Sequence, residues 1–91
     1  MEKLKEFLKK EKMVWVEVTR KSAKEFLIFA KTNNFRWISG KNIKPNTDKP
    51  FLHLSLDNNG FLANVPAIAW ISKQFKNIKK YSFEEFKKIY L

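Results

Sequence analysis

The group in this chain best suited to proton transfer near neutral pH is His53, the one histidine among 91 residues, and the chain contains no cysteine. A nucleophilic relay needs an acid to orient the imidazole and a hydroxyl within hydrogen-bond reach of it. On a strand over residues 51–56, His53 shares a face with Phe51 and Ser55. The two aspartates fall where backbone turns need them, Asp48 in a loop and Asp57 at a tight turn. Glu84 and Glu85 open a helix, where negative charge is favourable. Two glycines are too few for a phosphate-cradling loop, and the absence of cysteine excludes disulfides, zinc–thiolate sites and a thiol nucleophile. The expectation is a protein without catalytic residues, metal ligands or cofactor, one that works by binding.

Charge points to what it binds. Nineteen Lys and Arg against nine Asp and Glu give a net charge of +10, and all but Arg20 and Arg36 of the basic residues are lysine. An AT-rich genome would also produce lysine excess, so clustering matters more than the total. From Arg20 to Lys49 there are eight basic residues and two acids, and from Lys73 to Lys80 four basic residues and none. The first dozen residues mix signs. A polyanion-binding surface is therefore assigned to Arg36, Lys41 and Lys44, with Lys73, Lys76, Lys79 and Lys80 as its extension. Trp37 sits among the first group. Alternation along a strand puts it on the face opposite Arg36, so a buried Trp37 means an exposed Arg36.

The positioning elements follow from periodicity. Leu4, Phe7 and Leu8 mark a short amphipathic helix over residues 2–11. Val14, Val16 and Val18 alternate against Trp15, Glu17 and Thr19, the pattern of a strand. Ser22 and Glu25 read as a capping box for a helix with Ala23, Phe26, Leu27 and Ala30 inward. Phe35 to Ile38 is a strand, and residues 41–50 a loop. Leu52, Leu54 and Leu56 face the core from the next strand, which turns at Asn59-Gly60 into its partner over residues 61–65. Pro66 opens a helix lined by Ile68, Ile71 and Phe75, and a box of Ser82 and Glu85 starts the last helix. The order is αβαβββαα. It predicts one α+β domain, with a small, mostly antiparallel sheet of about four strands packed by the capped helix. Residues 1–12 form a helical extension and residues 13–91 the core.

Val14-x-Val16-x-Val18-Thr19, the capped helix and Asn34-Phe35-Arg36-Trp37-Ile38-Ser39-Gly40 resemble a pattern found in small accessory proteins of tailed phages. The terminal Tyr81-Ser82-Phe83-Glu84-Glu85-Phe86 belongs to the same pattern. The resemblance covers residues 13–88 and contains no catalytic residue. It implies an accessory, anti-defence role of the anti-CRISPR kind, in which a host nucleoprotein is bound and inhibited. The alternative is a nucleic-acid-binding accessory or regulatory module. Both place the protein in a bacterial cytoplasm. The longest apolar run, Val65 to Ile71, is far short of the ~20 residues of a membrane span, and the charged first residues do not read as a signal peptide.

Overall fold

Burial on both faces makes the strand Met13–Glu17 (β1) the centre of the computed structural model, which describes residues 2–45 and 52–90. Residues 46–50, Asp48 among them, and Phe51 lie outside the described residues, so the expected loop over 41–50 and the start of the strand expected over 51–56 fall partly there. Val14, Val16 and the following Val18 face one side, and Trp15 is buried on the other. On one flank β1 pairs antiparallel with His53–Asp57 (β3), Val14 opposite Leu56 and Val16 opposite Leu54. On the other it pairs parallel with Lys79–Ser82 (β5). Phe61–Asn64 (β4) returns antiparallel beside β3, and Arg36–Trp37 (β2) adds to β4 in parallel. The five-stranded order is β2-β4-β3-β1-β5.

The α+β class follows the sequence expectation. The sheet has five strands rather than about four and mixes two parallel pairs with two antiparallel ones. The additional strand, β5, has no apolar alternation. It is an edge strand that sets Tyr81 against the helix-side core and lays the stem of Lys80 on the opposite face.

Three helices cover the valine side: Glu2–Glu11 (α1), Arg20–Thr32 (α2) and Phe83–Tyr90 (α4). Phe26, Leu27, Ala30, Phe83 and Phe86 pack there with Leu54, Leu56 and Leu62. Leu4 and Leu8 belong to the same cluster, so α1 is packed into the domain it opens. Leu52, expected inward with Leu54 and Leu56, is 48% exposed. It precedes β3, at the sheet margin, where the regular alternation ends.

Helix boundaries follow local hydrogen bonds. The cap of α2 is Thr19, not Ser22: Thr19 Oγ1 accepts from the Ser22 N–H and Ser22 Oγ from the Thr19 N–H. Ser22 is thus the third-position partner of the box, the place usually taken by Glu or Gln. At the other end Asn34 adopts φ 67, and Phe35 N–H reaches back to Ala30 O, a Schellman closure. The Ser82–Glu85 box of α4 forms as expected, with both reciprocal bonds made. Its bond from the Ser82 backbone N–H holds the Glu85 carboxyl below the ordinary glutamate range. Between β3 and β4, Asp57 Oδ1 accepts from the N–H groups of Asn59 and Phe61, and Gly60 takes φ 85. Only Gly60 of the expected Asn59-Gly60 pair uses the left-handed region.

The helix predicted from Pro66 to Lys76 is broken. Ala67–Trp70 (α3) makes one turn, and Ser72 caps a separate 3₁₀ turn over Lys73–Phe75. The break lets Trp70 and Phe75, rather than Ile68 and Ile71, meet the sheet. Rings of that size bury more apolar area than an isoleucine. Among the described residues no helix is long and apolar enough to cross a membrane.

The two leucines of β3 and its approach provide the test of this register. Leu54→Ala should lower unfolding free energy by about 2–5 kcal/mol. Leu52→Ala should lower it by less than about 1 kcal/mol, as at a half-exposed position. Equal shifts of the denaturant midpoint in the two variants would mean that the strand faces are misassigned.

Candidate binding surfaces

The seven basic residues singled out from the sequence divide between opposite edges of the sheet. Arg36 lies on β2, with Lys41 and Lys44 just beyond it, while Lys79 and Lys80 lie on β5. Three strands intervene, so the two edges are about 19 Å apart at the usual ~4.8 Å strand spacing. Lys73 and Lys76 belong to the 3₁₀ segment that leads into β5. The sheet therefore builds two basic groups, not one continuous row of seven.

At the β2 edge, alternation works as anticipated. Trp37 turns inward against the helix-side core, and Arg36 is exposed on the opposite face. The chain then folds back along the outside of its own strand. The Trp37 N–H donates to Lys41 O at 3.1 Å and the Gly40 N–H to Trp37 O at 2.7 Å. These bonds satisfy the outward backbone groups of β2 and close that edge to strand addition. Two residues later Ile43 inserts into the core and anchors the loop. Arg36, Lys41 and Lys44 are all exposed, and none makes an ion pair among the described residues.

At the β5 edge, Lys80 is a structural residue. Its ammonium donates to Phe75 O at 2.8 Å and Ile78 O at 3.4 Å and lies 5.3 Å from the centre of the Trp15 ring. Two of its three protons are thereby directed at the chain's own carbonyls. It locks the 3₁₀ turn to the sheet. Lys73, Lys76 and Lys79 are exposed.

Beside Lys80 a second apolar cluster fills the face away from the three helices. Trp15 stacks on Trp70 at 6.0 Å and meets Phe75 at 5.3 Å, and its indole N–H donates to Met13 Sδ at 3.1 Å. His53 lies against Trp70 at 4.5 Å. His53 also has the acidic partner that its sequence neighbours did not offer: Nε2 is 3.1 Å from Glu17 Oε2, its cross-strand partner. Only the β1–β3 register, not proximity in sequence, could have revealed that pair. Among the described residues no nucleophile completes it. Ser55 is buried, with its hydroxyl toward Ala63 O at 3.5 Å. A cleft of about 460 Å³ opens near His53, and its hydroxyls, Thr19, Ser22 and Ser82, are engaged in helix caps. The imidazole is braced between a carboxylate and an indole.

Uncovered apolar side chains mark the remaining surface. On α3, Ile68 and the adjoining Ile71 are 78% and 79% exposed. On the β2–β4 half of the sheet, Phe61 of β4 lies beside Arg36 in register, and Ile38, in the turn after β2, is 68% exposed. Phe61 was not among the residues expected to bind. In sequence, Phe61 and Leu62 compete equally for the core, and only pairing with β2 and β3 shows that Leu62 wins.

The division of lysines generates a prediction. Lys80→Met should lower stability by about 1–3 kcal/mol, because two carbonyls lose a charged donor and the indole loses its cation. Lys79→Met should change it by no more than about 0.5 kcal/mol. Equal, small effects in thermal melts would return Lys80 to the solvated surface. No protein-family model matches this chain, and no curated protein or solved structure is significantly similar to it.

Proposed function

We propose that this protein acts by binding rather than catalysis, and that it engages the nucleic-acid component of a nucleoprotein through the basic edge at β2. The observation that carries the reading is the set of exposed cations Arg36, Lys41 and Lys44, which make no ion pair among the described residues, on an edge whose backbone is already satisfied. Such an edge offers side-chain charge rather than a strand template. Arg36 suits a bidentate phosphate contact, and the lysines suit point contacts along a backbone. Lys73, Lys76 and Lys79 form a second, weaker contact region, and Lys80 is withdrawn from the proposed surface because it serves the fold.

The resemblance to tailed-phage accessory proteins supplies the biological setting of the proposal: inhibition of a host defence nucleoprotein, inside the host cell. A stand-alone nucleic-acid-binding regulator would use the same edge. The two differ in affinity for bare nucleic acid.

Salt dependence tests the edge. If four to six phosphates are neutralised, log affinity should fall against log salt with a slope of about −4 to −5, a loss of roughly 10²–10³ between about 50 and 200 mM. Charge reversal of Arg36, Lys41 and Lys44 together should weaken binding to nucleic acid and flatten the slope by about 3. Reversal of Lys5, Lys9 and Lys10 on α1 removes as much charge from a mixed-sign helix and should leave most of the binding intact. Equal losses in both triple variants would reduce the effect to net charge and remove the localised edge.

A further inference from the structure

The open half of the sheet specifies what kind of nucleic acid the edge receives. Along the β1 half, Trp70 and Phe75 cover the face away from the helices. At the β2–β4 half the same face presents Phe61, 36% exposed, with Arg36 as its direct register partner. Lys41 lies at the outer margin, held there by its bond to Trp37. An aromatic ring beside an arginine, with a lysine at the outer margin of the next strand, is complementary to a nucleobase with its phosphates. We propose that this strip binds an unpaired strand of nucleic acid, one base stacking on Phe61 while Arg36 and Lys41 take the adjacent phosphates. The proposal rests on the reading that the β2 edge meets nucleic acid, and it adds the requirement that the strand be single.

The geometry favours a single strand over a duplex. In a duplex the base faces are stacked on one another, and a phenylalanine standing on a sheet cannot reach them. Groove reading needs an element that projects into the groove, such as a helix or a two-stranded ribbon. The β2–β4 strip projects nothing and is closed at its margin by its own loop. Stacking on an aromatic ring needs only a free π-face, which every base has, so binding should tolerate sequence. Asp57, on the neighbouring strand, does not oppose the phosphates strongly. Its Oδ1 accepts from the Asn59 and Phe61 N–H groups at 2.9 Å each, and β4 separates it from Arg36.

Fluorescence anisotropy with oligonucleotides of about 12 residues tests the proposal, using mixed-sequence single-stranded DNA, the matching RNA and the DNA duplex. At least one single strand should bind more tightly than the duplex. Phe61→Leu, which keeps an apolar side chain of similar size but removes the π-face, should weaken single-strand binding by about 5- to 100-fold. Phe61→Trp should retain it, and neither should alter the salt slope. Arg36→Gln should instead reduce that slope by about one. Matching thermal melts for Phe61→Leu and wild type would exclude a folding defect. Duplex binding as tight as single-strand binding, or unchanged affinity in Phe61→Leu, overturns the stacking site. If reversal of Arg36, Lys41 and Lys44 still abolishes binding in that case, the basic edge survives without it.

Discussion

Burying β1 on both faces is the constraint from which the rest of this small domain follows. Val14, Val16 and Val18 demand a helical cover on one side, which α1, α2 and α4 supply with Leu4, Leu8, Phe26, Leu27, Phe83 and Phe86. Trp15 demands a second cover on the other. Among the described residues no further helix of useful length provides it. The chain meets the requirement with one turn of α-helix and one of 3₁₀, from which Trp70 and Phe75 reach the Trp15 ring. Lys80 then secures that strap from the strand next to β1. Because the strap is short, it covers the β1 side of the sheet and stops. The β2–β4 side, where Arg36 is exposed and Phe61 is 36% exposed, is the geometric remainder of that solution.

The proposed function is linked to the fold through this remainder. A surface that was merely basic could sit anywhere on a lysine-rich chain. Here the uncommitted cations at β2 adjoin an exposed aromatic ring, whereas the lysine beside the covered aromatic cluster is drawn into hydrogen bonds and a cation–π contact. Lys87 is similarly occupied, bonded to Glu84 and to Glu25 across the α2–α4 contact, which raises its pKa. Counting lysines therefore overstates the surface available to a polyanion. The β2 edge has both chemistries that a single nucleic-acid strand requires, charge for phosphate and a ring for the base.

Much of the framework was legible in the residues, and the omissions have specific causes. The alternation of Val14, Val16 and Val18, the turn at Asp57 to Gly60 and the Ser82–Glu85 box are signals in which neighbouring residues decide the conformation, and each forms. Strand β5 escaped because an edge strand with two lysines has no hydrophobic pattern, and its pairing with β1 spans more than sixty positions of sequence. The cap of α2 shifted to Thr19 because a serine can fill either role in a reciprocal box. For the proposed binding surface, exposure of Arg36 followed from alternation with Trp37, but the position of Phe61 beside Arg36 and the engagement of Lys80 with Phe75 O depend on contacts that the sequence does not show. The His53–Glu17 pair belongs with these: it exists because two strands are in register.

The central claim is that partner contact centres on the β2–β4 strip, with Lys73, Lys76 and Lys79 at most a weaker secondary region. Amide chemical-shift perturbation during titration with single-stranded DNA tests this most directly, because it reports every backbone position at once. The account predicts that the largest shifts fall on residues 36–41 and 60–63. Positions on β5 and in α4 should move little, although β5 carries Lys79 and α4 carries Lys87 and Lys88. Shifts spread over all exposed lysines, with residues 60–63 unmoved, would contradict it and leave the charge of this protein as a property of its composition alone.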